Sequence, residues 1–250
     1  MSLELPLCDL HVFIMQLPLG PGPHTEQLQR IQNNLIQHFG RLIRPPEKRR
    51  DPVWALVQGV IGARTKTAIS NENTDRLLAK YGSWEAVADV PADTLAADLA
   101  TATFPQVAGE RLKACLTAIK AQRGKVDLSH LEDMDTLAAM HWLETLPGVA
   151  RKVSAGVVNT STLGRKALVI DSNHRRVIQR VGLVPAKADT ARAYEALEPV
   201  LPAEWTAADI DEHHLLVKRV GQTWCRPSRT DCPHCPLQSL CRTAEKQLPN

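Results

Sequence analysis

The sequence predicts an all-α protein, and three observations carry that reading. Only two Tyr and three Phe stand in a chain rich in Leu and Ala, a bias toward helices over strands. Apolar residues recur at i, i+3 and i+4 through most of its length. At Pro147-Gly148 one such periodic segment stops and another begins almost at once, the pattern of two helices joined by a tight turn.

With 250 residues, 44% of them hydrophobic, the chain can bury a substantial core as one large domain or two small ones. No apolar run approaches the ~18 residues of a membrane span. Glu4 and Asp9 precede or interrupt the N-terminal apolar stretch and no basic cluster leads it, which argues against a signal peptide. The expectation is a monomeric cytoplasmic protein without membrane association.

In chain order, residues 1–23 are rich in Pro and Gly and read as an irregular extension. Leu28, Ile31, Leu35, Ile36 and Phe39 share a face of a helix from Thr25 to Leu42, which Arg44-Pro45-Pro46 ends. Lys48-Arg49-Arg50 then reads as a solvated linker. Pro52 suits a helix's first turn, and Val53, Leu56, Val57, Val60 and Ile61 continue it as a buried helix. The loop Gly62-Ala63-Arg64-Thr65-Lys66-Thr67 interrupts, and a second helix runs to about Tyr81, with Gly82 as its C-cap. Ser83 caps a short helix around Trp84 to Ala88. Another spans about Thr94 to Ala100, and a longer one, marked by Leu112, Cys115, Leu116 and Ile119, ends at Gly124. Leu137, Met140 and Leu143 share a face of the helix before the Pro-Gly break, and Val149, Val153, Gly156 and Val157 restart the pattern after it. Further helices are expected near 172–181, 189–200 and 207–221.

The break organises the rest. A short turn containing glycine leaves the first N–H groups of the following helix unpaired, and with the helix dipole they form a phosphate site. Lys152 sits at that helix start, where a cation is disfavoured and its pKa tends downward, and Arg151 adds like charge. Asp171 follows nineteen residues later, after the apolar run Ala167-Leu168-Val169-Ile170, and is placed to cap the next helix. The net charge of the whole chain is only +3. Residues 146–181, however, hold Arg151, Lys152, Arg165, Lys166, Arg175, Arg176 and Arg180 against Asp171 alone, whereas 126–144 hold only acids among their charged residues. A basic set that coincides with the hairpin reads as a nucleic-acid face.

The tail spells Cys225-x6-Cys232-x2-Cys235-x5-Cys241. Two disulfides would need an oxidising compartment. Spacing alone leaves a four-cysteine zinc site and an iron–sulfur cluster both open. Cys115 falls on an apolar helix face and reads as a small core residue; Cys8 has no assigned role.

Together the hairpin Leu146-Pro147-Gly148-Val149-Ala150-Arg151-Lys152, Asp171 and the cysteine tail resemble the endonuclease III family of helix-hairpin-helix DNA glycosylases, over some four-fifths of the chain from about Pro52 onward. The family hairpin reads roughly LPGVGRK and the 6-2-5 cysteine spacing matches its terminal motif. The resemblance implies two lobes with a cleft between them: a helical barrel over 46–165 carrying the hairpin, and 24–45 with 166–250 holding a 4Fe-4S cluster on Cys225, Cys232, Cys235 and Cys241. It implies that Lys152 is the nucleophile that attacks the sugar C1′, with Asp171 supporting it, because the glycosidic transition state resembles an oxocarbenium ion. Double-stranded DNA carrying damaged bases or abasic sites is the implied partner. Arg64, Lys66, Leu146, Gly148, Ala150, Arg151, Arg226 and Arg229 are the implied contacts, and a bacterial protein would be nucleoid-associated.

Arg64 stands where the family loop S-A-Q-A-T-D has glutamine, Thr67 replaces its aspartate, and Ala150 replaces the second glycine of the hairpin. The segment Asp171-Ser172-Asn173-His174-Arg175-Arg176-Val177 follows the family's D-T-H-x-x-R-V only loosely. The expected activity is base-excision repair by a glycosylase that is also an abasic-site lyase, acting on oxidised pyrimidines. A DNA-structure binder without turnover, and a redox protein using the cluster, are the alternatives.

Overall fold

The computed structural model describes residues 22–247, which form twelve α-helices linked by short 3-10 turns, with no strand among them. The extension read over residues 1–23, apart from Gly22 and Pro23, lies outside the described residues, as does Cys8. Helix α1 spans Pro23–Phe39 and ends at Gly40, short of the Leu42 expected. Helices α2 (Pro52–Ile61), α3 (Thr67–Tyr81), α4 (Trp84–Asp89), α5 (Ala92–Asp98), α6 (Pro105–Arg123), α7 (Thr136–Glu144) and α8 (Arg151–Thr160) follow. Then come α9 (Ser172–Val181), α10 (Thr190–Leu197), α11 (Ala207–Thr223) and α12 (Arg242–Gln247). The sequence reading has no counterpart of α12, a six-residue helix with one buried side chain, Ala244, and hence no apolar stripe to read.

Local chemistry sets the boundaries. Asp51, Ser83, Asp135, Asp171 and Asp189 each cap a helix by accepting backbone N–H bonds, and Thr206 with Asp209 forms a reciprocal capping box on α11. Each such cap is worth about 1 kcal/mol. The apolar run Ala167–Ile170 has the composition of a strand but no ladder partner; it crosses the interior as a buried extended connector between α8 and α9.

Packing falls into two groups. Helices α2 to α8 pack among themselves, chiefly α5 and α4 on α6, α2 on α8 and α3, and α7 on α8. Helix α11 packs against α9 and α1, and α12 against α9. Helix α8 touches both sets through α10 and α11, and one continuous cluster of buried side chains from Leu28 to Leu237 runs through the whole. Gly59 on α2 lets α8 come close: a Cβ there would sit 2.8 Å from Cγ1 of Val153. That contact fixes the first turn of α8 against α2, and Lys152 is the neighbouring residue. No described helix is long and apolar enough to cross a membrane.

Candidate active site between the helix ends

The hairpin turn is built on Gly148, whose φ of +79° places it in the left-handed region that a side chain disfavours. Ala150 is extended, with φ −119° and ψ 173°, and is the N-cap of α8 without a side-chain bond. The Cβ of Ala150 therefore meets no left-handed backbone, because that conformation falls on Gly148 in this turn. Leu146 has its side chain in the core, so only its backbone is available to a ligand.

Lys152 and Asp171 open into one cavity of about 590 Å³ lined by α2, α3, α8 and α11 and by the 44–50 segment. Oδ1 of Asp171 accepts from the backbone N–H groups of Asn173 and His174, at 2.9 and 2.8 Å. Its Oδ2 is left for the cavity, where Nζ of Lys218 lies 3.7 Å away. The same ammonium donates to Oγ1 of Thr67 at 3.1 Å. Burial pulls the pKa of Lys152 down and so does Lys218, while Asp171 opposes them. Burial pushes the carboxyl of Asp171 upward, but His214, the His174 N–H and Lys218 together hold it below the usual carboxylate range.

Behind Asp171 lies a buried set of histidines. Nδ1 of His174 and Nδ1 of His214 are 3.2 Å apart, so one ring carries the shared proton and the other accepts it. His213 donates from Nδ1 to Oε1 of Gln32 at 3.0 Å, and Gln32 donates on to Glu212 at 3.1 Å. Glu212 is wholly enclosed and also receives Arg41 and the Leu42 N–H. Burial first, then the neighbouring cations, pushes His214 down to about 4. Burial and His214 push His174 down to about 3.

Sequence reasoning missed Lys218, His174 and His214. The signal was present: Asp211, His214 and Lys218 recur at i, i+3 and i+7 on α11, a polar stripe on a helix otherwise turned toward the core. The like charge beside Lys152 comes from Lys218 and not from Arg151. Arg151 is neutralised by Glu144, to which Nε donates at 2.6 Å, and its guanidinium lies over Tyr194 with a side chain only 13% exposed.

The basic run from 146 to 181 is largely spent inside the fold. Arg165 donates to the carbonyls of Met134 and Glu132, and Lys166 to that of Ala203. Arg176 and Arg180 bind carbonyls of the Cys225 loop. The linker 48–50 is likewise tied down: Arg49 donates to the carbonyls of Asn159 and Ser161, and Arg50 pairs with Asp75. Arg64, Lys66, Arg226 and Arg229 are exposed. Arg64 has φ +56°, the sole non-glycine in the left-handed region among the described residues, and its guanidinium lies 5.7 Å from the ring of Phe104, itself 46% exposed. A second, larger depression of about 870 Å³ lies between α1 and the tail, away from Lys152 and Asp171.

The four tail cysteines are free thiols that line a single small pocket with Trp224 and Arg180. Nη1 of Arg180 donates to Sγ of Cys225 at 3.2 Å. Backbone N–H groups of Leu237, Thr243 and Ala244 reach the sulfurs of Cys235 and Cys241. Burial, with the neighbouring thiols, pushes Cys235 up to about 11, so the thiolate form needs a bound cation. Among the described residues no three donors close to the spacing that one ion needs. Four thiols lining one pocket, with backbone N–H groups directed to two of the sulfurs, are the donor type that a thiolate-bound metal centre uses.

No protein-family model matches the chain. It is 29% identical to Endonuclease III of Bacillus subtilis (strain 168) over 199 residues, which cover 79% of this chain and 84% of that one. It is 35% identical to Endonuclease III of Escherichia coli (strain K12) over 104 residues, 42% of this chain and 46% of that one. The structure superposes on an endonuclease III–DNA covalent intermediate with a TM-score of 0.71, at 23% identity, covering 89% of this chain and 98% of the other. The chain is thus similar to endonucleases III in sequence and shares the fold of one of their DNA complexes. Its all-α architecture is the helix-hairpin-helix glycosylase fold, and its relatives are DNA glycosylases, one of them named as an AP lyase as well. In this endonuclease III relative the hairpin sequence, the Lys152–Asp171 cavity and the four-thiol pocket occur together in one chain.

Proposed function

We propose that this protein removes a damaged base, of the oxidised-pyrimidine class, from duplex DNA and then cleaves the strand at the resulting abasic site. The observation that carries the reading is the Lys152 amine, which forms no ion pair or hydrogen bond among the described residues and shares its cavity with an ionised Asp171. A neutral amine there attacks C1′ as the glycosidic bond breaks and the base leaves with the bonding pair. Asp171, fixed by the α9 N–H groups, stabilises the positive charge that develops on the sugar. Loss of the ring oxygen bond gives an imine between Lys152 and C1′. Removal of a C2′ proton then expels the 3′ phosphate and nicks the strand.

The exposed Arg226 and Arg229 of the cysteine loop, with Arg64 and Lys66 of the 62–67 loop, supply backbone contacts that position the duplex. Gly148 and the free N–H groups at the start of α8 take a phosphate. We infer that Cys225, Cys232, Cys235 and Cys241 hold a 4Fe-4S cluster. When bound it supplies structural cross-linking of a tail that buries little apolar surface.

Borohydride tests the reading on a duplex with one abasic site. Reduction fixes the imine, so the wild-type protein gives a stable covalent adduct and Lys152→Gln gives none while still binding DNA. An adduct at normal yield from Lys152→Gln removes Lys152 as nucleophile. No adduct from the wild-type protein, together with no base released from a lesion-bearing duplex, makes it a binder without turnover.

A further inference from the structure

We propose that Lys218 is a positioning residue of this site: its ammonium engages the free oxygen of Asp171 and so leaves the Lys152 amine unpaired and ready to attack. The proposal rests on the reading of Lys152 as the nucleophile.

A carboxylate beside a nucleophilic lysine raises a difficulty. Left alone, the pair forms a salt bridge, and the salt bridge holds the amine as an unreactive ammonium. In this cavity the two oxygens of Asp171 are divided. Oδ1 is consumed by the two N–H groups that start α9, and Oδ2 has Lys218 at 3.7 Å. No ion pair within 4 Å and no hydrogen bond joins Asp171 to Lys152 among the described residues. Lys218 is held in place from its other side by Thr67, 3.1 Å away on α3, so it spans the cavity between α11 and α3 and does not swing free.

The remaining charged groups around the cavity do not substitute for it. Asp211 of α11 is bound by Arg44 at 3.1 Å. Asp75 of α3 is bound by Arg50. Helix α2 presents Trp54, Ala55, Gln58 and Gly59, with no charge. Glu47 and Lys48 of the 44–50 segment also line the cavity, and neither forms an ion pair with Asp171, Lys152 or Lys218 among the described residues. His214 is neutral and hydrogen-bonded to His174. Among the described acids lining this cavity, Asp171 is the one with a lysine amine within 4 Å, and that amine is Lys218. Two effects follow from one ammonium: Asp171 stays ionised for the sugar cation, and like charge disfavours protonation of Lys152, a pairing of lysines that activates one of them.

The test is the rate of borohydride trapping on an abasic duplex, under single-turnover conditions with the protein in excess, followed from about pH 5.5 to 9.5. Lys218→Met should lower the rate about tenfold at neutral pH, the effect of one unit in the protonation of the amine. It should approach the wild-type rate at high pH, with the profile displaced to the alkaline side. Lys218→Arg keeps the charge and should keep the wild-type profile. Lys218→Gln serves as a second neutral variant if the methionine protein fails to fold. A wild-type profile in the neutral variants, or an equal loss at every pH, overturns the proposal. The parent reading fails separately, through an adduct that survives in Lys152→Gln; an adduct that survives there but vanishes in Lys152→Gln with Lys218→Met would make Lys218 itself the nucleophile and overturn both.

Discussion

Acidification should unfold this protein through its buried histidines before its carboxylates titrate. Burial holds His174 down to about 3 and His214 down to about 4; His214 adds to the first, and Lys218, Lys152 and His213 to the second, while Asp171 acts the other way on both and the Val169 backbone on His174. Both lie below the ordinary value near 6.5 that the unfolded chain recovers. Below pH 6.5 the unfolded chain therefore takes up protons that the native protein refuses, and stability falls; above it the contribution is complete. Between about pH 7.5 and pH 5 each ring removes roughly 2 kcal/mol, and the pair on the order of 4 kcal/mol, a large part of a typical 5–15 kcal/mol. Urea unfolding followed by tryptophan fluorescence at a series of pH values measures this directly. His174→Leu removes one proton site and the Nε2 atom that has no hydrogen-bond partner, and should flatten the pH dependence by about a third in this window, because His213 is equally buried, is held well below its ordinary value and contributes as well. A wild-type stability that is level from pH 7.5 to 5, or a His174→Leu slope equal to that of wild type, would mean that these rings are not the groups that couple folding to pH.

Gly59→Ala brings a Cβ to 2.8 Å from a methyl of Val153; it should cost about 1–3 kcal/mol and slow abasic-site trapping, since Val153 adjoins Lys152. Thermal melting and the trapping rate read the two effects. Cys232→Ser should lower iron content and the broad absorbance near ~400 nm that thiolate-bound clusters give, and lower the melting temperature; stoichiometric zinc without iron in the wild-type protein would remove the cluster. Arg229→Ala should weaken binding to all duplexes alike and reduce the slope of log affinity against log salt by about 1, which titrations at several salt concentrations measure.

The features legible in the sequence were those encoded locally. Pro147-Gly148 announces a turn, Asp171 before Ser172 announces a cap, and four thiols in one short tail announce a shared ligand. Most helix limits follow from the same local chemistry of caps, prolines and glycines. The site's second amine was hidden because Lys218 comes from a helix remote in sequence, and only packing of α11 against α8 and α9 brings it to Asp171. Charge counting misread the basic run for a related reason. It records the sign of Arg165, Arg176 and Arg180 but not that nearby carbonyls already receive their donors. The polar stripe on α11 was readable as a pattern, yet a buried face bearing Asp211, His214 and Lys218 acquires meaning only once the cavity it lines is known.

Helix α9 begins at the cap Asp171 and ends beside the thiols. Arg176 donates to the carbonyls of Cys225 and Gly221 at 2.6 and 2.8 Å, and Arg180 to the sulfur of Cys225 and the carbonyl of Arg226. A rod of ten residues, about 15 Å long, is thereby clamped at its far end by the very loop that the cysteines tether. The direction of the Asp171 carboxylate is thus tied through α9 to that clamp as well as to its own neighbours. Damage to the tail, whether by oxidation of a thiol or by loss of its ligand, would therefore surface first as a misaimed Asp171: base release would fail in a protein whose hairpin still grips DNA and whose barrel helices are intact.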